Sequence, residues 1–157
     1  MERLCFTKTK LPGGWLGNMS PYPILWEGDQ YRTSEAVFQA MRFADPADRE
    51  AIRNEVSPMG AKFKAKALRS EGKSRLLTLE EDLHNMRICV GLKLEQHPEL
   101  VGLLIATGDL IITEDVTSRM SKPGNNLIWG AGLGHDGWVG DNWLGLIWME
   151  YREGLKA

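Results

Sequence analysis

The sequence predicts an α+β fold, one compact helix-dominated domain with a small, mostly antiparallel sheet. Three observations lead there. About five or six stretches read as helices, and four of them open behind a Ser, Thr or Asp cap. The β-like stretches are short, about three to five in number. They do not alternate with the helices, as a doubly wound parallel sheet requires.

Taken in order, Leu4–Thr7 reads as a strand, followed by a loop with Lys8, Lys10 and the pair Gly13-Gly14. Gly17, Pro21 and Pro23 keep residues 15–23 irregular. Ile24–Trp26 and Gln30–Arg32, joined through Glu27-Gly28-Asp29, predict a hairpin with a Gly turn. Thr33 or Ser34 can cap a helix over about 34–44, since a short hydroxyl accepts from the orphan N–H groups of a first turn. Asp45-Pro46 and Ser57-Pro58 each combine a cap with proline at the first helical position, opening helices over about 46–54 and 58–70. Thr78 and Glu81 form a capping box for a long helix over about 79–95, with Leu79, Leu83, Met86, Val90 and Leu94 as its apolar positions. A helix over about 98–106 closes at Gly108. Leu110–Thr113 and Leu127–Trp129 read as short strands, and Gly130–Gly140 as a Gly-rich loop. A last helix over about 141–154 has Leu144, Ile147, Trp148 and Tyr151 on one face.

The chain has 157 residues, suited to one domain spanning 1–157. With 43% hydrophobic and 25% charged residues and a net charge of −2, it lacks the basic field of a broad, non-specific nucleic-acid binder. No apolar run approaches the roughly 18 residues of a membrane span, and Met1–Phe6 carries no signal-peptide core. Cys5 and Cys89 stand alone, the pattern of a reduced cytoplasmic protein. His84, His97 and His135 have no ligand spacing, so neither a metal nor a cofactor is expected. Gly130-Ala131-Gly132-Leu133-Gly134 is not a dinucleotide fingerprint, because His135-Asp136-Gly137 follows it rather than a helix.

The chemistry-bearing stretch is Tyr31–Phe43, YRTSEAVFQAMRF. On a helix, Val37, Ala40, Met41 and Ala44 form an apolar stripe, and Glu35, Gln39 and Arg42 a polar one opposite. Such a stripe is either a solvated face or the lining of a pocket that offers a carboxylate, an amide and a guanidinium. Lys62, Lys64, Lys66 and Arg69 read as a solvated basic face.

This stretch resembles the Y-x-T-x-E-H-x-(Y/F)-Q-A-x-K segment of the NADAR family, the YbiA-like N-glycosidases. Further blocks resemble that family in order: Leu16–Pro21, Pro23–Tyr31, Ser57–Lys62, Ala106–Asp109 with Glu114, Ile128–Gly132, Trp138–Gly145 and Met149–Arg152. The resemblance implies hydrolysis of an N-glycosidic bond in a ribosyl, ribosyl-phosphate or ADP-ribosyl substrate. The partner is then a nucleotide or ribosyl-phosphate small molecule, or an ADP-ribosylated nucleic acid. It implies Glu35 as the catalytic carboxylate, with Gly17, Asn18, Gln39, Arg42, Lys62, Glu114, Trp129, Gly130 and Asn142 binding substrate. Glu35, Gln39 and Arg42 would then face one cavity, with Trp129 and Asn18 on its wall. Three positions depart from the family pattern: Ala36 for its His, Arg42 for its Lys and Asn126 for its Asp. A lysine can attack an anomeric carbon as a free amine, whereas arginine stays protonated, so a covalent lysine route through position 42 is closed. The alternatives are carboxylate-assisted direct hydrolysis and a module that binds an ADP-ribose-like nucleotide without turnover.

Overall fold

The computed structural model describes residues 2–156; Met1 and Ala157, the ends of the expected 1–157 domain, lie outside the described residues. In chain order the elements are β1 (Arg3–Phe6), β2 (Ile24–Trp26), β3 (Asp29–Tyr31), α1 (Ser34–Ala40), α2 (Pro46–Arg53), α3 (Pro58–Ser70), α4 (Leu79–Gln96), α5 (Glu99–Ala106), β4 (Ile111–Glu114), α6 (Asn126–Trp129), β5 (Gly132–Gly134), β6 (Gly137–Val139) and α7 (Trp143–Gly154). The fold is α+β, as the sequence predicts. Its strands form three two-stranded ladders, two of them antiparallel hairpins and one, β1 with β4, parallel. The chain divides into two compact units, residues 18–97 and residues 1–17 with 98–157.

In the first unit the β2–β3 hairpin turns through Glu27 (φ 49°) and Gly28 (φ 86°), the doubly left-handed turn whose twist matches a right-handed strand pair. The Asp45, Ser57 and Thr78 side chains accept from the first turns of α2, α3 and α4, and the capping box of Thr78 with Glu81 is complete. The core collects Ile24, Tyr31, Val37, Ala40, Phe43, Ile52, Ala65 and Val90, each at most 1% exposed. Two details differ from expectation. α1 stops at Ala40 rather than 44, because Arg42 and Phe43 donate to Gln39 and Ala40 carbonyls three residues back, which tightens and ends the helix. Phe43 is thereby buried and Ala44 exposed. Leu79, at the first position of α4, is exposed, while Lys93 further along is fully buried.

In the second unit α7 lies against β4 so closely that a side chain at Gly145 would collide with the Ile112 carbonyl. Trp148 is fully buried there, donating from Nε1 to the Leu16 carbonyl at 2.9 Å and meeting Trp15 edge to face. Residues 127–129 form a helical turn, not the expected strand, because the Ile128 and Trp129 amides both donate to the Asn125 carbonyl. The expected Gly-rich loop contains the β5–β6 hairpin, with His135-Asp136 exposed at its tip.

Candidate active site

α1 is held at its start by two residues. Thr33, in extended conformation, accepts the Ala36 amide on its hydroxyl at 3.1 Å. The Asn18 carbonyl accepts the Glu35 amide at 3.0 Å, and the Asn18 side chain accepts from the Ser34 hydroxyl and donates to the Met86 sulfur, both at 3.1 Å. An irregular segment therefore sets the height and rotation of a seven-residue helix. Asn18 is thus bound up in placing α1.

The polar stripe of α1 is not a solvated face. Glu35 is 8% and Gln39 6% exposed. Gln39 Nε2 donates to Glu35 Oε1 at 3.0 Å, and Gln39 Oε1 accepts a longer bond of 3.4 Å from Arg69 Nη1. Arg42 leaves the stripe for α4: its Nη2 pairs with Asp82 Oδ2 at 3.2 Å, and its guanidinium lies 4.9 Å from the Phe38 ring centre. The pair is half made, since Arg42 Nε and Asp82 Oδ1 are buried with no hydrogen-bond partner among the described residues.

Burial raises the Glu35 pKa above its ordinary value, against the Gln39 hydrogen bond and the attraction of Lys62 and Arg42. Burial also raises Asp82, which Arg42 pulls back down, and lowers Arg69, which Arg42 repels. Cys89 is fully buried, and its thiol is pushed up by burial and by the charge of Glu35. The result is a desolvated carboxylate fixed by an amide and attracted by Lys62 and Arg42, a combination that clusters at functional sites.

Lys62 stands exposed on α3 in the first unit. The remaining expected site residues, Gly17, Glu114, Trp129, Gly130 and Asn142, belong to the second unit. Asn142 sits at φ 55° before α7, with Oδ1 accepting the Glu114 amide at 3.0 Å and Nδ2 donating to the Ile112 carbonyl at 2.8 Å. Its amide group is therefore engaged on both sides by β4 backbone. Gly130 packs so tightly that a Cβ would lie 2.6 Å from the Glu114 carbonyl oxygen. Gly17 is buried, and its amide donates to Gly14. Trp129 is half-buried on α6, and Asn126 exchanges hydrogen bonds of 3.2 Å with Arg119. His97 bonds the Pro23 carbonyl within the first unit. Among the described residues no group of three or more His, Cys, Asp or Glu is placed to hold a metal ion, and no helix is long and apolar enough to cross a membrane. A cleft of about 350 Å³ between Arg75–Leu77 and the first turns of α4 includes neither Glu35 nor Gln39.

Sequence reasoning passed over Asp82, and its reading of Arg69 as part of a solvated basic face is corrected: Arg69 is half-buried and bonds Gln39. Asp82 is 40 residues from Arg42, with no local signal. Arg69 carried one, being seven residues after Lys62 and hence two turns along the same helix face.

A carboxylate and an amide on a buried helix face, with guanidinium groups alongside, equip a protein to handle a sugar bearing anionic groups. The NADAR domain model matches residues 5–156. N-glycosidase YbiA of Escherichia coli (strain K12) is 36% identical over 154 residues, covering 96% of this chain and 86% of that protein. N-glycosidase YbiA of Shigella boydii serotype 4 (strain Sb227) is 35% identical with the same coverage. The NMR structure of the E. coli protein YbiA matches with a TM-score of 0.74 at 33% identity, over 99% of this chain and 87% of that one. The chain belongs to the NADAR family and is a homologue of N-glycosidase YbiA.

Proposed function

We propose that this protein is an N-glycosidase that hydrolyses the C1′–N bond of a ribosyl, ribosyl-phosphate or ADP-ribosyl substrate, with Glu35 as its catalytic carboxylate. The observation that carries the reading is the buried Glu35, raised in pKa and fixed by Gln39, in a homologue of a named N-glycosidase. Cleavage builds positive charge on the ribose ring, and an ionised carboxylate in a desolvated site stabilises that charge more than the neutral ground state. Water then adds its hydroxyl to C1′. Its proton passes to Glu35 and on to the nitrogen of the departing base. A carboxylate with raised pKa is the better base for this transfer. Gln39 holds the carboxylate and presents its amide to a ribose hydroxyl. Arginine at position 42 keeps positive charge in the site without offering a nucleophilic amine.

We read residues 1–157 as one catalytic domain in the cytoplasm acting on a small nucleotide or on an ADP-ribosylated nucleic acid, with no metal or cofactor. The second reading, a binding module without turnover, draws on the Arg42–Asp82 pair, which engages the residue at the family's lysine position.

The test is to incubate the protein with ADP-ribosylated DNA and with a ribosylamino-pyrimidine phosphate and to look for released base or sugar by mass spectrometry. Release is expected, and Glu35→Gln should slow it roughly 10²–10⁴-fold while ligand affinity changes far less. Tight binding of ADP-ribose with no cleavage of either linkage would establish the binding module instead. Equal rates in wild type and Glu35→Gln would remove Glu35 from the catalytic role.

A further inference from the structure

The cations near the Glu35–Gln39 pair are not equivalent. Arg42 is compensated: Asp82 pairs with it, Phe38 lies against its guanidinium, and its side chain is 16% exposed. Arg69 has no such partner. Among the described residues its guanidinium makes one direct polar contact, the 3.4 Å bond to the Gln39 carbonyl oxygen, and meets no carboxylate within salt-bridge distance. Asp82 attracts it only at longer range, having given Oδ2 to Arg42. Lys62, on the exposed side of α3, likewise forms no ion pair among the described residues, yet its charge is felt at Glu35. Of the other basic residues on α3, Lys64 reaches Glu55 at 4.0 Å. α3 itself carries no acidic residue.

Lys62, Lys66 and Arg69 stand at i, i+4 and i+7, one face of a helix that packs on α1. Seven residues of helix rise about 10 Å, so the outer two charges can serve an anion longer than a single phosphoryl group. Half-burying a guanidinium beside another guanidinium is unfavourable unless an anion joins them, and the planar fork of Arg69 matches two phosphate oxygens. The Gln39 link ties that fork to the carboxylate, so an anion on Arg69 is held at a fixed offset from Glu35.

We propose that Arg69, with Lys62 two turns earlier, is the anion-binding element of the site, and that its substrate carries phosphoryl groups bound by α3 rather than by Arg42. The proposal rests on the reading of Glu35 and Gln39 as a sugar site. It deepens that reading by assigning the specificity for phosphorylated ligands to a residue outside the α1 stripe.

Binding by calorimetry tests it without requiring turnover. The probes are ADP-ribose, ribose 5-phosphate and uncharged adenosine, each titrated into wild type, Arg69→Met and Arg69→Lys, with circular dichroism as the check on folding. Loss of charge-assisted hydrogen bonds should weaken ADP-ribose about 10- to 100-fold in Arg69→Met, with partial recovery in Arg69→Lys and adenosine unchanged. A larger loss for ADP-ribose than for ribose 5-phosphate assigns a pyrophosphate, and equal losses a single phosphoryl group. Either result supports the proposal. ADP-ribose and ribose 5-phosphate binding unchanged in Arg69→Met overturns it, as does parallel weakening of adenosine, which marks a merely structural role. Failure of wild type to bind either phosphorylated probe also overturns it. The glycosidase reading fails separately, if phosphorylated ligands bind through Arg69 and none is cleaved.

Discussion

Replacing Glu35 by Gln should stabilise the fold at neutral pH, although it removes the proposed catalytic group. The carboxylate is 8% exposed, and burial is the largest influence on its pKa, which it raises from 4.5. A raised carboxylate pKa means that the native state binds its proton more tightly than the unfolded chain does. Stability is therefore highest below the unfolded pKa and falls as pH rises towards the folded one. At pH 7 the penalty for the desolvated charge is present, of order 3 kcal/mol after relaxation. Against it stand the charge-assisted part of the Gln39 bond, about 1 kcal/mol, and the attraction of Lys62 and Arg42, about 1 kcal/mol at these partly solvated positions. Glu35→Gln keeps the shape and an acceptor for Gln39 while removing all three contributions, for a net gain of about 1 kcal/mol. In a chain of this length that raises Tm by about 2–4 °C. Differential scanning calorimetry of both proteins from pH 4 to pH 8 measures it. The gap should open as pH rises above 4.5, the ordinary carboxylate value. A variant that melts lower than wild type at pH 7, or a gap that ignores pH, would refute the buried-charge argument.

Three further outcomes follow from the same structure. Asp82→Ala leaves the Arg42 guanidinium, 16% exposed, without its anion and should cost about 2–3 kcal/mol in urea unfolding, whereas the double change with Arg42→Met should recover part of that loss. Lys93 is fully buried against Ser20 at 2.8 Å, and burial lowers its pKa to about 7. Since the unfolded chain binds the extra proton between that value and the ordinary 10.5, wild-type Tm should gain a component that rises from pH 7 to pH 9 and is absent in Lys93→Met. Asn142→Ala removes two bonds to β4 and places a Cβ residue without that compensation at φ 55°, so it should lower stability by about 2–3 kcal/mol, while Asn142→Gly, which tolerates that φ, should cost less by roughly 1 kcal/mol in the same thermal melt.

Much of the fold was legible because its cues are local. Asp45-Pro46, Ser57-Pro58 and Thr78 with Glu81 satisfy first-turn amides within three residues, so α2, α3 and α4 begin where those residues stand. Of the α7 stripe, Leu144, Ile147 and Trp148 are likewise buried as the spacing implies, and Tyr151 at its end is half-buried. Residues 127–129 were misread because a short apolar run has no period long enough to separate strand from helical turn, and the Asn125 carbonyl decided it. For the site, spacing alone put Glu35, Gln39 and Arg42 on one side of a helix. It could not say whether that side met water or protein, because burial depends on what packs there. Only the tertiary structure buried Glu35 and Gln39 and turned Arg42 to an aspartate 40 residues away. It also brought Arg69 from the next-but-one helix to the Gln39 amide. Charge compensation is a property of neighbours in space, and residues that share no helix turn or strand register leave no trace of it in the order of the chain.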